Sequence, residues 1–168
     1  MSNLILPESF YARDTVTVAR ELLGKVLVCG PITAPINEVE AYLGIDDKAA
    51  HAARGITPRT RVIFGPPGRT YVYLIYGMHE CLNLIAEADG VPGCVLIRGV
   101  EGVSGPGRLT RAFGITRAHN GLPVFDPKGA ITVRDDGWRT GEIQVTPRIG
   151  IRHCADWPLR FIAAVYPP

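Results

Sequence analysis

Short segments with the composition of β-strands, separated by turn-forming residues, are the sequence feature that most constrains the fold of this chain. Helical patterns accompany them: Asp14 can cap a helix that runs through Leu23, and GPGRLTRAFG can open another. Because strands and helices do not alternate in a βαβ rhythm, the sequence predicts an α+β fold, with a single domain over residues 1–168. We expect a curved, mainly antiparallel β-sheet, flanking helices and a protruding β-hairpin. The strand-like segments are KVLVCG, NEVEAYL, TYVYLIY, CLNLIA and CVLIRGV.

The same patterns predict where the chain turns and where it lacks regular structure. A turn is expected at Pro31–Pro35, and Asp46 is expected to cap a short Ala-rich helix. The hairpin formed by TYVYLIY and CLNLIA is expected to turn at 77–79. Residues 119–141 are rich in Gly, Pro and Asp and are expected to be irregular, whereas closing strands are expected near TPRIGI and PLRFI.

Several classes of protein are disfavoured by what the sequence lacks. No apolar run approaches the ~20 residues that cross a membrane, and the N-terminus does not resemble a signal peptide, so we expect a cytoplasmic protein. There is no GxGxxG after a strand and no Walker motif, which argues against a nucleotide cofactor. The cysteines show no CxxC pair and no metal-ligand spacing with histidine, so neither a metal nor a cofactor is expected and the thiols should be reduced. These cysteines are Cys29, Cys81, Cys94 and Cys154.

Positive charge is concentrated in the middle of the chain. The net charge is only +2, but residues 51–117 carry eight Arg against four acidic residues. Arginine is the planar donor suited to bidentate contact with phosphate, so this region is where an anion would bind. A solvated loop accounts for the charge equally well. The arginines that cluster without an intervening acid are Arg54, Arg59, Arg61 and Arg69.

The alternation in NEVEAYL places Glu40 and Tyr42 on one face of a strand, and Val39 and Ala41 on the other. Apolar neighbours are unusual for a carboxylate that only faces water, so Glu40 is a candidate for chemistry, although a salt-bridged strand residue gives the same pattern. Arg98 lies in the apolar strand CVLIRGV, where an unpaired guanidinium costs several kcal/mol. We expect Glu40 to be its partner.

Aromatic residues are dense in TYVYLIY. Tyr71 and Tyr73 share one face of the predicted strand, while Tyr76 points the other way immediately before Gly77. A large side chain at a hairpin tip, beside an arginine-rich loop, is placed to wedge into DNA, and a tyrosine that covers its neighbours explains the pattern as well. In the following strand, Asn83 can offer a donor and an acceptor to a ligand or satisfy the backbone.

Taken together and in order, these motifs resemble the alkyladenine (3-methyladenine) DNA glycosylase family in its compact bacterial form. The resemblance runs from FYARDTVTVARELLGKVLV at residue 10 to PLRFI at residue 162. Two departures concern the DNA surface: only EGVS connects CVLIRGV to GPGRL, and His79 stands where the family often has an aromatic residue. The motifs that carry the resemblance are NEVEAYLG, AAH, TPRTR, GRTYVYLIYGMHECLN, CVLIRG, GPGRLTRAFGI and PRIGI.

The resemblance implies a monofunctional DNA glycosylase, which flips alkylated or deaminated purines out of duplex DNA and hydrolyses the glycosidic bond to leave an abasic site. It implies that Glu40 is the general base for water and that Arg98 holds this water and the carboxylate. Tyr76, helped by Met78, fills the gap left in the DNA, and Asn83 disfavours the amino group of normal guanine. The base-stacking residues so implied are Tyr42, His51 and Tyr73, and the arginines expected on the DNA backbone are Arg54, Arg59 and Arg61.

Double-stranded DNA with damaged purines is therefore the expected partner. We expect a monomer that associates with the nucleoid and does not bind a membrane. A lyase step needs an amine nucleophile. The chain has only three lysines, none of them expected in the pocket, and residue 2 is Ser and not Pro, so no lyase activity is expected. The lysines are Lys25, Lys48 and Lys128. Two other classes stay open. One is a non-catalytic nucleic-acid-binding module with an aromatic stacking platform, and the other is a hydrolase or transferase that acts on a free nucleoside.

Overall fold

The protein is built mainly from β-strands, as its alternating apolar pattern predicts. A computed structural model describes residues 4–168. The α-helices are α1 (Glu8–Tyr11), α2 (Thr15–Leu22) and α3 (Pro106–Phe113), and 3-10 helices cover His51–Arg54, Arg61–Phe64 and Arg117–His119. The strands are β1 (Leu4–Ile5), β2 (Val26–Cys29), β3 (Ile32–Tyr42), β4 (Thr70–Ile75), β5 (His79–Ile85), β6 (Cys94–Val100), β7 (Val103–Ser104), β8 (Ile131–Asp135), β9 (Arg139–Thr140), β10 (Gln144–Thr146), β11 (Arg160–Ile162) and β12 (Val165–Tyr166).

The long strand β3 organises a curled antiparallel sheet with the order β1-β8-β2-β3-β6-β5-β4. Its first half pairs with β2 and its second half with β11, while β6 lies along the other edge. The β3–β6 register shifts between Ile36 and Val39, and such a bulge bends a strand and increases its twist. The prediction of an α+β fold with a curved, mainly antiparallel sheet is confirmed.

The main hydrophobic core lies between this sheet and helices α2 and α3. The side chain of Asp14 accepts a hydrogen bond from the N–H of Thr17 at 3.0 Å, so the predicted N-cap of α2 is confirmed. Val18, Ala19 and Leu22 of this helix are fully buried against the sheet. Burying a side chain of the size of valine or leucine contributes about 1.5–3 kcal/mol, so α2 is fixed chiefly by this apolar face.

The turn predicted at Pro31–Pro35 is wrong, because β3 already begins at Ile32 and Pro35 pairs with Val26 inside the sheet. Proline is tolerated there because the pairing of β3 with β6 begins only at Ile36. The carbonyl of Pro35 still accepts a hydrogen bond from the N–H of Glu101 at 2.9 Å. The chain therefore reverses in the short link between β2 and β3.

The prediction that residues 119–141 are irregular is also wrong. This stretch contains β8, which lies in the interior of the main sheet, and β9, which pairs with β12 in a separate two-stranded sheet. Ile131 and Val133 of β8 are fully buried between β1 and β2. This strand has only five residues and is flanked by Gly, Pro and Asp, which are typical of turns, so its pattern was not recognised in the sequence. Near the C-terminus, PLRFI contains β11 as predicted. The strand expected near TPRIGI is β10, which ends at Thr146, so the following PRIGI is a loop.

The predicted Ala-rich helix is a single 3-10 turn, His51–Arg54, that begins after Ala50 without a side-chain cap. The cap expected from Asp46 is therefore wrong, and the next residue, Asp47, instead accepts hydrogen bonds from the N–H groups of Leu43 and Ala49. The predicted hairpin of β4 and β5 is present. It turns one residue earlier than expected, since His79 already pairs with Ile75.

Candidate active site

A cleft of about 870 Å³ opens beside the curled part of the sheet. This volume lies within the range of small-molecule sites in proteins. Its walls come from β3 to β6, the first 3-10 helix, the start of α3 and the loop segment 149–153. The predicted site residues that line it are Tyr42, His51, Arg54, Tyr73, Tyr76, Asn83 and Arg98.

Glu40 is fully buried and is not itself among the residues that line the cleft, but it is held by two that are, Tyr42 and Ile149. As the alternation of β3 predicts, Glu40 and Tyr42 share a face, and the hydroxyl of Tyr42 donates to Oε1 of Glu40 at 2.9 Å. The backbone N–H of Ile149 donates to Oε2 at 2.7 Å. Both carboxylate oxygens thus have a fixed donor, which offsets the cost of burying the group.

Arg98 contacts Glu40 less closely than the sequence suggested. Its Nη1 lies 3.8 Å from Oε1 of Glu40, whereas its Nε lies 3.2 Å from Oε2 of Glu38. Glu38 also accepts a hydrogen bond from Nε of Arg160 at 2.7 Å. The partner of Arg98 is therefore chiefly Glu38, a residue that the sequence analysis did not assign although it shares a strand face with Glu40.

Aromatic rings form one wall of the cleft. The rings of His51 and Tyr73 are in edge contact, with centroids 4.5 Å apart, and Nδ1 of His51 lies 2.8 Å from the hydroxyl of Tyr71. When Tyr71 donates this hydrogen bond, the single ring proton of neutral His51 is on Nε2. Tyr71, which was assigned no role from the sequence, thus holds the histidine ring in place.

Burial sets the protonation of these rings. Burial, and then the positive charges of Arg59 and Arg54, lower the pKa of His51 to about 4, so the imidazole is neutral near pH 7. Burial, and then the adjacent Glu40 carboxylate, raise the pKa of the Tyr42 phenol, which keeps its proton for the hydrogen bond to Glu40. The cleft therefore presents neutral aromatic surfaces around one buried carboxylate.

Asn83 lies in the wall of the cleft and is only 2 % exposed. Its Nδ2 donates to the carbonyl of Tyr71 at 3.2 Å, and its Oδ1 accepts from the thiol of Cys94 at 3.8 Å. These contacts fix the orientation of the amide. Asn83 is a rigid part of the wall, and its shape limits what fits beside it.

The hairpin tip exposes apolar surface at the mouth of the cleft. Tyr76 is 81 % exposed and Met78 is 67 % exposed. Tyr76 has a φ of 53°, in the left-handed region that non-glycine residues rarely adopt, and Gly77 follows with a φ of 66°. Met78 lies at the tip and is not part of the cleft wall.

The basic residues predicted to contact DNA are all exposed, but only one of them lines the cleft. Arg54 lines the cleft, whereas Arg59 lies over the outer side of Tyr73, with its guanidinium carbon 5.3 Å from the ring centroid, and Arg61 begins the second 3-10 helix. Lys48 also lines the cleft, which corrects the expectation that no lysine lies in the pocket.

A buried ion pair that the sequence analysis missed lies next to Glu40. Asp47 and Arg148 form hydrogen bonds at 2.6 and 2.9 Å, and the side chains of both are fully buried. Burial alone would raise the pKa of Asp47, but the hydrogen bonds from Arg148 and from two backbone N–H groups hold that pKa below its usual range. The only signals in the sequence were an acid before AAH and an arginine in PRIGI, which are far apart in the chain.

Within residues 4–168, no group of three or more His, Cys, Asp or Glu side chains is arranged to hold a metal ion. No helix in this part of the chain is long and apolar enough to cross a membrane. Cys81 and Cys94 are buried, Cys29 and Cys154 are partly exposed, and all four are free thiols.

The sequence matches the family described as methylpurine-DNA glycosylase (MPG) over residues 9–104 and 101–167. The chain belongs to the methylpurine-DNA glycosylase family. It is 46% identical over 168 residues to a protein of Sodalis glossinidius, covering 96% of this chain and 98% of the relative. It is 45% identical over 180 residues to a protein of Methanocella arvoryzae, covering 93% and 89%. Both relatives are named "putative 3-methyladenine DNA glycosylase".

Membership of the methylpurine-DNA glycosylase family makes the chain a DNA glycosylase, a hydrolase of DNA repair whose substrate is DNA. The resemblance drawn from the motifs is thereby confirmed. The family assignment covers both the strands that carry Glu40 and Arg98 and the loop that carries Arg148.

Proposed function

We propose that this methylpurine-DNA glycosylase flips a damaged purine from duplex DNA and hydrolyses its glycosidic bond, with Glu40 activating the water. The observation that carries this proposal is the buried Glu40 carboxylate, which is hydrogen-bonded to Tyr42 in the wall of a cleft that His51 and Tyr73 also line. A carboxylate fixed below an aromatic slot can act on a sugar whose base is stacked in that slot. The same rings in a simple binding module would not need such an acid.

The cleft supplies surface for the extruded base. Unstacking a nucleotide costs a few kcal/mol, and stacking on an aromatic side chain returns roughly 1–3 kcal/mol per base. Tyr42, Tyr73 and His51 offer this surface, and the exposed Tyr76 at the hairpin tip would fill the vacated position in the duplex with Met78 beside it. The rigid amide of Asn83 would restrict bases that carry an extra amino group.

Glu40 retains capacity to accept a proton from water. Each carboxylate oxygen has two lone pairs, and Oε1 has one direct donor, the hydroxyl of Tyr42. The separation of 3.8 Å from Arg98 is too long for a direct hydrogen bond, so Oε1 can still accept from a water that Arg98 helps to hold. As the bond to the purine breaks, positive charge develops on the sugar, and the ionised carboxylate stabilises it.

The proposed product is an abasic site without a strand break. Lys48 is the one lysine among the cleft-lining residues, and its side chain is exposed whereas Glu40 is fully buried. Since water and not an amine would attack the sugar, no Schiff base should form. We further propose that a monomer acts on nucleoid DNA.

Duplex oligonucleotides that carry hypoxanthine, ethenoadenine or an alkylated purine test this proposal. We expect strand breakage at the lesion only after hot alkali, and none in matched undamaged duplexes. If no lesion leads to strand breakage, the non-catalytic binding module is favoured. If the base is released equally well from free nucleosides, the chain acts as a nucleoside hydrolase. Borohydride trapping should yield no adduct, whereas an adduct that disappears in Lys48→Ala would show a lyase step.

A further inference from the structure

The buried pair of Asp47 and Arg148 has no part in the reaction proposed above, yet it lies against the groups that hold Glu40. Nη1 of Arg148 donates to Oδ2 of Asp47 at 2.6 Å and to the carbonyl of Ala41 at 3.0 Å. Nη2 of Arg148 donates to Oδ1 of Asp47 at 2.9 Å. A two-point contact of this kind fixes the plane of the guanidinium.

Arg148 is coupled to both donors of the Glu40 carboxylate. Its guanidinium carbon lies 4.7 Å from the centroid of the Tyr42 ring, in a cation–π contact, and the Tyr42 hydroxyl donates to Oε1 of Glu40. Its chain neighbour Ile149 donates its N–H to Oε2. The contact to the Ala41 carbonyl also ties Arg148 to the strand between Glu40 and Tyr42. Within residues 4–168, both groups that donate hydrogen bonds to Glu40 are therefore adjacent to this one side chain.

Stability alone does not account for this arrangement. Buried ion pairs contribute little net stability, because desolvation offsets most of the attraction between the charges. What the pair does provide is a fixed position for a loop that otherwise lacks regular structure, since residues 147–158 contain neither helix nor strand. The pair anchors the residue immediately before Ile149, whose N–H donates to Glu40.

We propose that Asp47 and Arg148 are positioning residues that set the Glu40 carboxylate through the Tyr42 ring and the Ile149 N–H. As an assignment of roles in catalysis this rests on the proposed function. Arg148 orients the two donors, and Asp47 orients Arg148. Neither touches the substrate, so their loss should slow base release more than it weakens DNA binding.

The first test measures single-turnover base release and the Kd for lesion duplex in Arg148→Met, Arg148→Lys and Asp47→Asn. A small displacement of a reacting group can cost about 10²-fold in rate, so we expect a loss of that order in Arg148→Met with a Kd within about threefold of the original. Arg148→Lys, which keeps the charge but not the two-point contact, should recover part of the rate. Arg134→Met, which removes an arginine paired with Asp136 outside the cleft, is the matched control.

A double-mutant cycle separates positioning from a general loss of structure. In a Tyr42→Phe background, which already lacks one donor to Glu40, Arg148→Met should cause a smaller further loss than it does alone. Fully additive losses, or an unchanged rate in Arg148→Met, would overturn the proposal. If Arg148→Met does not fold, Asp47→Leu combined with Arg148→Met removes both charges, and a folded double variant with the original rate would equally overturn it.

A readout without turnover distinguishes this inference from the proposed function. The short hydrogen bond to Glu40 should shift the amide proton of Ile149 downfield in NMR spectra. We expect that shift to be lost in Glu40→Gln and in Arg148→Met, and retained in Arg134→Met. If Arg148→Met leaves the chemical shift of the Ile149 amide proton unchanged, the positioning role is refuted even if the protein releases bases. Conversely, a protein that releases no base can still show this coupling between Arg148 and Ile149.

Discussion

Glu40 and Glu38 lie two residues apart on one strand, yet their surroundings suit them to different tasks. Glu38 is held by Arg98 and Arg160 at 3.2 and 2.7 Å, which leaves it neutralised by two guanidinium groups. Glu40 has neutral donors on both oxygens and Arg98 only at 3.8 Å. A carboxylate whose charge is not cancelled by a close ion pair remains a base, so at the residue scale Glu40 is the better candidate.

Replacing the acid by its amide tests this assignment. Glu40→Gln keeps the size of the side chain but removes the base, so we expect single-turnover base release to fall about 10²–10⁴-fold while lesion binding persists. Glu101→Gln, in the exposed turn between β6 and β7, is the control. Near-normal turnover in Glu40→Gln would rule out the proposed role.

His51 gives a pH-dependent prediction. Its pKa is about 4 in the folded protein, so between about pH 6.5 and pH 4 the unfolded chain binds a proton at this residue and the folded protein does not. The stability contributed by neutral His51 is present above pH 6.5 and is lost as the pH falls towards 4. The free energy of unfolding should therefore fall from pH 7 to pH 5, and less steeply in His51→Gln. His153→Gln is the control for loss of an exposed imidazole, and equal slopes in wild type and His51→Gln would contradict the prediction.

At the scale of elements, the hairpin of β4 and β5 connects the cleft to the surface. Tyr73 faces the cleft from β4, which ends two residues later at Ile75, and the tip that follows carries two exposed apolar side chains. Tyr76 keeps a left-handed backbone there, at a cost of order 1 kcal/mol that a glycine would not incur. A strained and exposed aromatic residue gains little from packing within the chain, which is consistent with the wedge role in the proposed function.

Tyr76→Gly should therefore change stability and flipping in opposite directions. We expect the free energy of unfolding to rise by about 1 kcal/mol because the backbone strain is relieved. Flipping should weaken, because no ring fills the gap in the duplex. Tyr76→Ser loses the ring but keeps the positive φ, so it should show the flipping defect without the gain in stability. Thermal unfolding and the fluorescence of 2-aminopurine beside the lesion measure the two effects, and unchanged fluorescence in both variants would refute the wedge.

At the scale of the whole molecule, basic residues gather at the mouth of the cleft although the net charge is only +2. Arg54, Arg108 and Arg152 are exposed, and all three line it. Arginines of this kind hold phosphates without reading sequence, and under the proposed function these three would position the duplex over the cleft. Asp47 and Arg148, whose side chains are fully buried, are not among the residues that line the cleft.

Salt dependence tests this division of the charges. Each arginine on a phosphate adds to the slope of log Kd against log salt concentration, so Arg54→Gln should reduce that slope by about 1. Binding should weaken equally for damaged and undamaged duplexes. Arg139→Gln, on the exposed strand β9 outside the cleft, should leave the slope unchanged. An unchanged slope in Arg54→Gln would remove this residue from the DNA surface.

Local backbone geometry explains why part of the site was predictable from the sequence. Side chains two residues apart on a strand share a face whatever the rest of the chain does, so the placement of Glu40 and Tyr42 on one face followed from NEVEAYL alone. The cap of α2 at Asp14 and the strand at CVLIRGV followed in the same way, because each depends on a few adjacent residues. The family motifs then supplied the roles that are proposed for these residues.

Only the tertiary structure brought the distant partners together. The N–H of Ile149 meets Glu40 across 109 residues, Arg148 meets Asp47 across 101 and Arg160 meets Glu38 across 122. The strand β8 likewise became visible only through its neighbours β1 and β2. Alternation along a strand indicates which way a side chain points but not which residue lies opposite it. The opposite residue is decided by how the sheet curls and where the loop of residues 147–158 is anchored. The sequence therefore determined the acid and its face, and the fold decided which groups hold it.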